Sequence, residues 1–410
     1  MTSLDPTSLR PASARSRLMP QILTDETLAS ALADTEQPDI FVERLLAAAH
    51  ARGIALTEPD IRSAIQPDPL GIARYMPAPP DGSGWPPRHW LPIGIVSQSH
   101  DIFVDWLRFG PEPLTAPFFE QSIHAALYRP FNRLFRYRMT LDDFLAEARR
   151  QERTGSSLMP RGFIFHMSRC GSTLVSRMLA APDDNIVVSE AAPIDGAVQL
   201  ASATLHNARR PEILRAMMLA FGRPRAGGER HAFFKLDCWH ALTLPLFEKA
   251  FPETPWLFLY RDPIEVMVSQ IRERGSQMVP EFLPLADLGI AGDGVPNADY
   301  CARVLSRICA AAADRLAEPP HLGLAVDYRE LPDAVFSRIL PHFAVRYDAP
   351  ALAAMQRATA FDAKRPQVNF TADSIAKHAA ATPALRDATE RHLGPAIHRL
   401  EALNRAHAAR

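Results

Sequence analysis

The hydrophobic pattern near the start of the chain is helical. Phe41, Leu45 and Leu46 recur at the spacing that places apolar side chains on one face of a helix. A shorter apolar pattern precedes them, and a threonine suited to capping a further helix follows. These signals predict three short helices in a small helical module over residues 21–65. Residues 1–20 are rich in serine, proline and arginine, and we expect them to form a disordered tail.

A mixed region follows over residues 66–155. Its first part is rich in proline and glycine, which is typical of a linker or a long loop. In its second part aromatic residues alternate with arginine, as at Tyr128, Arg129 and Phe131. Such interleaving can bind single-stranded nucleic acid, but an amphipathic segment with arginine on its solvent-facing side explains it more simply. We therefore expect a linker and an aromatic-rich region whose fold the pattern does not define.

From residue 156 onwards, short apolar runs alternate with helical patterns. The runs have the length and composition of buried strands, and they cover residues 162–165, 231–236, 256–260 and 322–326. The alternation predicts a parallel sheet with helices on both faces. We therefore expect an α/β fold class, with a P-loop-type parallel sheet flanked by helices over residues 156–410 and an α-rich N-terminal extension before it.

The composition excludes several classes of function. In 410 residues, 45 Lys and Arg balance 46 Asp and Glu, so the chain lacks the basic excess of a duplex-binding protein and we expect no nucleic-acid partner. No apolar stretch approaches the roughly 18 residues of a membrane-spanning helix, and the N-terminus lacks the apolar segment of a secretory signal. We therefore expect no membrane span. The four cysteines form no CxxC pair and the histidines no metal-binding motif, so we expect no metal and a reducing compartment, the cytoplasm.

The junction between the first predicted strand of the α/β region and its helix offers an anion-binding site. The loop reads His166-Met-Ser-Arg-Cys-Gly171 and leads into a helix that begins at Ser172. A helix N-terminus presents unpaired backbone N–H groups and the positive end of the helix dipole, which together bind phosphate or sulfate. Gly171 lets a ligand approach the backbone, and Arg169 adds a permanent cation. The ATP-binding version of this loop has a lysine where this chain has Ser172, which argues against an ATPase or an ordinary kinase.

A second basic residue follows another predicted strand. Arg261 comes directly after the run over residues 256–260, and Ser269 lies two turns along the next predicted helix. An arginine at a strand end and a serine in the following helix can clamp a second phosphate. The alternative is a surface arginine paired with Asp262 and a buried serine.

Together the two motifs resemble those of sulfotransferases that use 3′-phosphoadenosine 5′-phosphosulfate (PAPS). HMSRCGSTLVSRML is similar to their 5′-phosphosulfate loop, and LFLYRDPIEVMVSQ is similar to their 3′-phosphate motif. The likeness is greatest to the protein-tyrosine sulfotransferase branch and its bacterial relatives, in which Arg replaces Lys in the first loop. Three spacings fit that branch: 21 residues from Arg169 to Glu190, 26 from Lys235 to Arg261, and 8 from Arg261 to Ser269.

The resemblance implies a role for each matched residue. Glu190 would be the general base that removes the acceptor proton. Lys235 would stabilise charge on the leaving oxygen, and Arg169 would act both in catalysis and in donor binding. The donor-binding residues that the resemblance implies are Arg169, Cys170, Gly171, Ser172, Thr173, Arg261, Ser269 and Tyr328.

Two features depart from the branch. Its pair of glutamates is reduced to Glu190 alone, and Glu273, flanked by arginines, stands where a basic residue is expected twelve positions after Arg261. Three C-terminal basic residues are candidates for completing the donor site, and spacing does not distinguish among them: Lys364, Arg365 and Lys377.

We therefore expect an enzyme, a sulfotransferase that transfers a sulfuryl group from PAPS to a hydroxyl group by in-line displacement. The acceptor would be a metabolite, a sugar or a peptide, and residues 276–297 form a long loop that we expect to shape its pocket. The helical module, with PDIFVERLLAAAHARGIALTEPDI, resembles the leader domain of ribosomally made peptide precursors, which gives the peptide some weight. Two alternatives stay open: a P-loop kinase that uses ATP, and a non-catalytic protein that binds a nucleotide or a partner.

Overall fold

The chain divides into two compact units. The computed structural model describes residues 14–68, 80–98, 101–203, 209–280, 282–283, 295–319, 321–360 and 373–408. The first unit comprises Met1–Glu112, Glu120–Ser157 and Leu219–Gly227. The second unit comprises Pro113–Phe119, Leu158–Met218 and Gly228–Arg410.

The N-terminal region holds one helix more than the sequence pattern predicted. Helix α1 begins at Ala14, inside the predicted disordered tail over residues 1–20. The apolar side chains of Leu18, Met19 and Ile22 are buried, and this burial offsets the entropy of ordering a polar segment. The expectation of disorder therefore does not hold from Ala14 onwards.

The three predicted helices follow α1, and side-chain caps begin two of them. Asp25 accepts a hydrogen bond from the N–H of Leu28, and Thr57 accepts one from the N–H of Asp60. The helices up to residue 154 are α1 Ala14–Thr24, α2 Glu26–Ala33, α3 Pro38–His50, α4 Glu58–Ala64, α5 Phe119–Tyr128, α6 Pro130–Leu134 and α7 Leu141–Thr154.

The first unit contains a sheet that the sequence pattern did not define. Strands β1 (Trp90–Gln98), β2 (Asp101–Arg108) and β3 (Tyr137–Thr140) are antiparallel and lie in the order β1-β2-β3. Arg138 on β3 stands opposite Asp105 on β2, and its buried side chain donates from Nε and Nη2 to both carboxylate oxygens of Asp105, at 2.6 Å and 2.7 Å. This interleaved arginine is therefore neutralised inside the unit, as in a structural ion pair.

The second unit is built on a five-stranded parallel sheet. Its strands are β4 Pro160–His166, β5 Asn185–Ser189, β6 His231–Lys235, β7 Trp256–Tyr260 and β8 Gly323–Asp327, in the order β5-β6-β4-β7-β8. The predicted α/β fold class, with a parallel sheet flanked by helices, is confirmed. The sequence pattern missed β5, whose five residues stand between a turn and a helix with no alternation to mark them.

Helices connect these strands and cover the sheet. They are α8 Ser172–Ala180, α9 Ala192–Ala203, α10 Arg210–Phe221, α11 Leu244–Ala250, α12 Pro263–Arg272, α13 Asn297–Ala317, α14 Leu340–His342, α15 Ala349–Arg357, α16 Ser374–Ala380, α17 Pro383–Ala388 and α18 Gly394–Ala408. The core of the unit is aromatic, since Phe163 on β4 lies 5.6–6.3 Å from the rings of Phe234, Phe247 and Phe251. None of the helices in the described part of the chain is long and apolar enough to cross a membrane.

The strand order places a topological switch point at the carboxyl ends of β4 and β7. These strands are neighbours, but the chain leaves β4 towards β5 on one side and leaves β7 towards β8 on the other. In open α/β sheets such a switch point is where ligands bind, because the two connections diverge and leave a gap between them. Both sequence motifs lie here, one directly after β4 and the other directly after β7.

Candidate functional site

The loop after β4 has an unusual backbone. Ser168, Arg169 and Gly171 have φ of 76°, 53° and 86°, all in the left-handed region. Alternation of left- and right-handed residues turns successive N–H groups towards one side and forms an anion-binding concavity. Gly171 is also the N-cap of α8, so no side chain caps the first turn of that helix. The loop and the helix start thus combine two features that favour a phosphate or a sulfate.

Gly171 is required here because of its neighbour as well as its conformation. A Cβ at this position would lie 2.7 Å from Cδ2 of Tyr328, closer than any real contact. The ring of Tyr328 also lies 4.0 Å below the guanidinium carbon of Arg261. The structure therefore brings together three of the predicted donor-binding residues, which come from the loops after β4, β7 and β8.

The predicted base and the predicted cation form an ion pair on neighbouring strand ends. Nζ of Lys235 donates to Oε1 of Glu190, and the N–H of Glu190 donates to the carbonyl of Lys235 at 2.8 Å. The side chain of Lys235 is fully buried, whereas that of Glu190 is 22% exposed. The Lys235 ammonium also lies 4.9 Å from the ring centre of Phe118. Glu190 is therefore the more exposed partner of the pair.

A buried histidine completes this pair. Nε2 of His166, the last residue of β4, lies 3.4 Å from the same Oε1 of Glu190. Burial opposes ionisation of Glu190, but Lys235 and His166 outweigh it and lower the pKa of the carboxyl to about 2. No sequence motif assigned a role to His166, and its position at the end of a strand beside the anion loop was the available signal.

Arg261 is held by acidic residues. Its Nε donates to Oε2 of Glu265 at 2.6 Å, and its Nη2 lies 3.4 Å from Oδ1 of Asp373. The hydroxyl of Ser269 donates to the carbonyl of Glu265 at 2.8 Å, one turn back along α12. Arg261, which precedes α12, and Ser269, within it, therefore both bond Glu265.

The C-terminal segment supplies one of the three basic candidates. Nζ of Lys377 lies 2.9 Å from Oδ2 of Asp373, whose other oxygen faces Arg261. One carboxylate therefore bridges Lys377 and Arg261. The other two candidates, Lys364 and Arg365, lie outside the described residues, as does most of the predicted acceptor loop over residues 276–297.

The remaining predicted donor-binding residues lie in the loop after β4 and at the start of α8, and they differ in their contacts. Nη2 of Arg169 donates to the carbonyl and to Oε2 of Glu273, at 2.5 Å and 2.8 Å, so the arginine contacts the acidic residue that departs from the family pattern. The thiol of Cys170 is buried against the carbonyl of Leu259 at 3.2 Å, and burial raises its pKa to about 12. Only the backbone of Cys170 can therefore face a ligand. Ser172 and Thr173, the first residues of α8, are buried.

An acidic cluster lies beside the Glu190–Lys235 pair. Burial, reinforced by the carboxylates of Glu190 and Asp195, raises the pKa of Asp237 to about 7. Asp195, Asp237 and His240 could together offer three ligand atoms to a metal ion. However, Oδ1 of Asp195 already accepts from Nε1 of Trp239 at 2.7 Å and faces Nε2 of His240 at 2.9 Å, which is a hydrogen-bonded arrangement. Sequence analysis missed Asp237.

Similarity to known proteins is found among solved structures, at low sequence identity. No family model and no curated protein sequence matches the chain. Among solved structures, it is similar to a sulfotransferase from Alicyclobacillus acidocaldarius, with 16% identity and a TM-score of 0.37 over 60% of this chain and 96% of that one. It is also similar to the sulfotransferase domain of the Synechococcus PCC 7002 olefin synthase, with 18% identity and a TM-score of 0.36 over 60% of this chain and 95% of that one.

A third similar structure is a sulfotransferase from Mycobacterium tuberculosis, with 14% identity and a TM-score of 0.33 over 67% of this chain and 87% of that one. All three proteins are sulfotransferases.

Proposed function

We propose that the chain is a PAPS-dependent sulfotransferase that modifies a hydroxyl group. The observation that carries this proposal is the Glu190–Lys235 pair at the ends of β5 and β6, in the same sheet edge as the glycine loop. A partly exposed glutamate and a buried cation next to an anion-binding loop are what an in-line transfer between two oxygens requires. The absence of a lysine from the loop itself disfavours ATP as the donor.

The donor would span the switch point from one motif to the other. The backbone of Arg169 to Thr173 and the Arg169 guanidinium would hold the 5′-phosphosulfate. Arg261 and Ser269 would hold the 3′-phosphate, with Lys377 as the C-terminal cation closest to Arg261. The ring of Tyr328, which touches both motifs, would line the nucleotide between them. PAPS would occupy both phosphate sites, whereas ATP, which has no 3′-phosphate, would leave the second site empty.

In the chemical step, the two carboxylate oxygens of Glu190 have different roles. The acceptor oxygen attacks sulfur, and the bond from sulfur to the bridging phosphate oxygen breaks. The acceptor proton moves to Glu190, which is ionised, and Oε2, the oxygen that Lys235 does not bond, is the atom that receives it. Lys235 stabilises the negative charge that develops on the phosphate of adenosine 3′,5′-bisphosphate as it leaves. The acceptor is a metabolite, a sugar or a peptide that carries a hydroxyl group.

The surroundings of the reacting groups support a dry site. Phe118 covers the Lys235 ammonium, and exclusion of water strengthens its attraction for the leaving oxygen.

The four cysteines are unpaired and buried, which supports a reducing compartment such as the cytoplasm.

Calorimetric titration tests the donor site. We expect adenosine 3′,5′-bisphosphate to bind the purified chain more tightly than ATP or AMP. R261A should weaken that binding by at least about tenfold, because it removes a charged contact to the 3′-phosphate. R399A is the control, since Arg399 pairs with Asp314 on the surface and should leave the affinity unchanged. A preference for ATP, or an R261A variant that binds as the wild type does, would contradict the proposal.

A further inference from the structure

The imidazole of His166 makes two backbone hydrogen bonds that fix its protonation. The N–H of Ser168 donates to Nδ1 at 3.0 Å, and Nε2 lies 2.9 Å from the carbonyl oxygen of Leu236. An N–H can only donate and a carbonyl can only accept, so Nδ1 carries no proton and Nε2 carries one. His166 is therefore neutral, with both ring nitrogens satisfied. Burial, which lowers its pKa, acts in the same direction.

The ring joins two strained segments of backbone. Among the described residues, four that are not glycine have a positive φ, and three of them, Ser168, Arg169 and Glu190, lie in this site. His166 bonds the first of these and contacts the carboxylate of the third. Left-handed backbone at such residues persists only where neighbouring contacts hold it. The imidazole supplies one such contact on each side.

The same ring selects one oxygen of Glu190. Its Nε2 bonds the carbonyl of Leu236 at 2.9 Å and lies 3.4 Å from Oε1 of Glu190, and Lys235 donates to Oε1 as well. Both donors converge on Oε1. In the part of the chain that the structure describes, no hydrogen bond to Oε2 is found, and Glu190 is partly exposed. Oε2 is thus the oxygen that is left for an incoming proton.

We propose that His166 is a positioning residue that couples the donor loop to the base, holding Ser168 through Nδ1 and Oε1 of Glu190 through Nε2–H. The catalytic role in this inference rests on the proposed function. The hydrogen bonds of His166 do not depend on that function. His166 neither takes nor gives up a proton in the reaction. The titratable groups that act on the ring or on the carboxylate are Lys235 from β6, Asp237 just after it, and Glu190 itself.

Nuclear magnetic resonance of the full-length protein with ¹⁵N-labelled histidine tests the hydrogen bonds without any activity. The His166 signals are assigned by their loss in H166N. We expect the neutral form with the proton on Nε2, and no titration between roughly pH 5.5 and 8. A proton on Nδ1, or an imidazolium that titrates in this range, would overturn the inference.

Two variants separate the two halves of the proposed role. Asparagine places an oxygen near the position of Nδ1 and should keep the bond to Ser168, whereas glutamine places an N–H near the position of Nε2 and should keep the contact with Glu190. The probes are adenosine 3′,5′-bisphosphate for binding and labelled PAPS with N-acetyltyrosinamide for turnover.

We expect H166N to lower kcat by about 10- to 100-fold and to leave the bisphosphate Kd within about threefold of the wild type. H166Q should show the reverse, with weaker bisphosphate binding and a smaller loss of kcat. Equal effects of the two variants on both quantities would reduce His166 to a packing residue and contradict the inference.

His342 is the matched control. Its Nε2 also lies near two backbone carbonyls, at 3.0 Å and 3.1 Å, and its pKa is also lowered by burial. H342N and H342Q should change stability without any split between kcat and Kd. If the wild type binds bisphosphate but transfers no sulfuryl group, the proposed function is contradicted, but the inference on His166 is not. The resonance and binding measurements then test whether His166 positions the loop and Glu190.

Discussion

At the scale of single residues, the site depends on how a buried cation and a carboxylate share their surroundings. Lys235 alone would be a costly charge to bury, and Glu190 provides the compensating charge. The same contact keeps Glu190 ionised, because the folded chain lowers its pKa to about 2 against an unfolded value of roughly 4.3. The stability that this ionisation provides is therefore present above pH 4 and is lost as the pH falls towards 2.

Replacing the base tests its role directly. We expect E190Q to lower the rate of sulfuryl transfer from labelled PAPS by about 100- to 10,000-fold, the usual contribution of a general base. The Kd for adenosine 3′,5′-bisphosphate should stay within about threefold, because Glu190 does not contact the nucleotide in the proposed complex.

E248Q serves as the matched control for this variant. Glu248 has a similar exposed fraction, 23%, and pairs with Arg315 at 2.5 Å on the helices α11 and α13. It should retain wild-type turnover. If E190Q also retained wild-type turnover, Glu190 could not be the base.

For Asp237 we predict the opposite dependence of stability on pH, with stability lost as the pH rises. Its folded pKa is raised to about 7, whereas an unfolded aspartate titrates near roughly 3.9. Between these values the folded chain holds a proton that the unfolded chain has released, so the wild type loses stability as the pH rises through this window. D237N removes the titration and should raise Tm more at pH 8 than at pH 4.

Thermal unfolding of D237N and of D387N at both pH values measures this effect. Asp387 is exposed and pairs with Arg391 on the surface. D387N should change Tm equally at the two pH values. A D237N variant with the same Tm difference at pH 4 and pH 8 would mean that Asp237 titrates normally.

At the scale of elements, the start of α16 lies against the second phosphate motif. Asp373, which precedes that helix, bridges Arg261 and Lys377, and the hydroxyl of Ser374 bonds Glu265 at 2.5 Å. The acidic side chains hold the cations in place, but they also compete with a phosphate for them.

D373N tests this competition. The variant removes a negative charge and leaves Arg261 and Lys377 available, so adenosine 3′,5′-bisphosphate should bind more tightly. The gain should be several-fold, because a single exposed ion pair contributes little free energy. Titration at two ionic strengths measures the change, which should shrink at the higher one. D387N should have no effect on affinity, and weaker binding by D373N would show that Asp373 positions the cations more than it competes for them.

At the scale of the whole molecule, all the predicted site residues that the structure describes belong to the second unit. A ligand that binds only the folded form stabilises that unit by mass action. Adenosine 3′,5′-bisphosphate at 100 times its Kd should raise the free energy of unfolding by about 2.7 kcal/mol, and ATP at the same concentration should raise it less.

Urea unfolding followed by the fluorescence of the second unit measures this difference. Trp256 on β7 is a suitable probe because it is buried in the parallel sheet. R261A should reduce the effect to about 1.4 kcal/mol or less, because a Kd that is tenfold weaker leaves the ligand at only about ten times Kd. An equal stabilisation by ATP would contradict the preference for a donor with a 3′-phosphate.

The sequence by itself determined four of the five strands of the parallel sheet, because they are short, apolar and separated by helical patterns, and each of these signals is local. It also determined the order and spacing of Arg169, Glu190, Lys235 and Arg261, since a motif is a property of the chain. It did not define the antiparallel sheet of the first unit, in which Arg138 is buried against Asp105 rather than exposed to solvent. Burial of a charge depends on a partner that another strand supplies.

Only the tertiary structure decided which atoms act together in the site. Strand order brought the ends of β4, β5 and β6 side by side, so that His166 and Lys235 converge on one oxygen of Glu190. It also placed Tyr328 between Gly171 and Arg261. These contacts join residues that are distant along the chain, and the protonation of each group depends on the burial and the charges that the neighbouring strands provide.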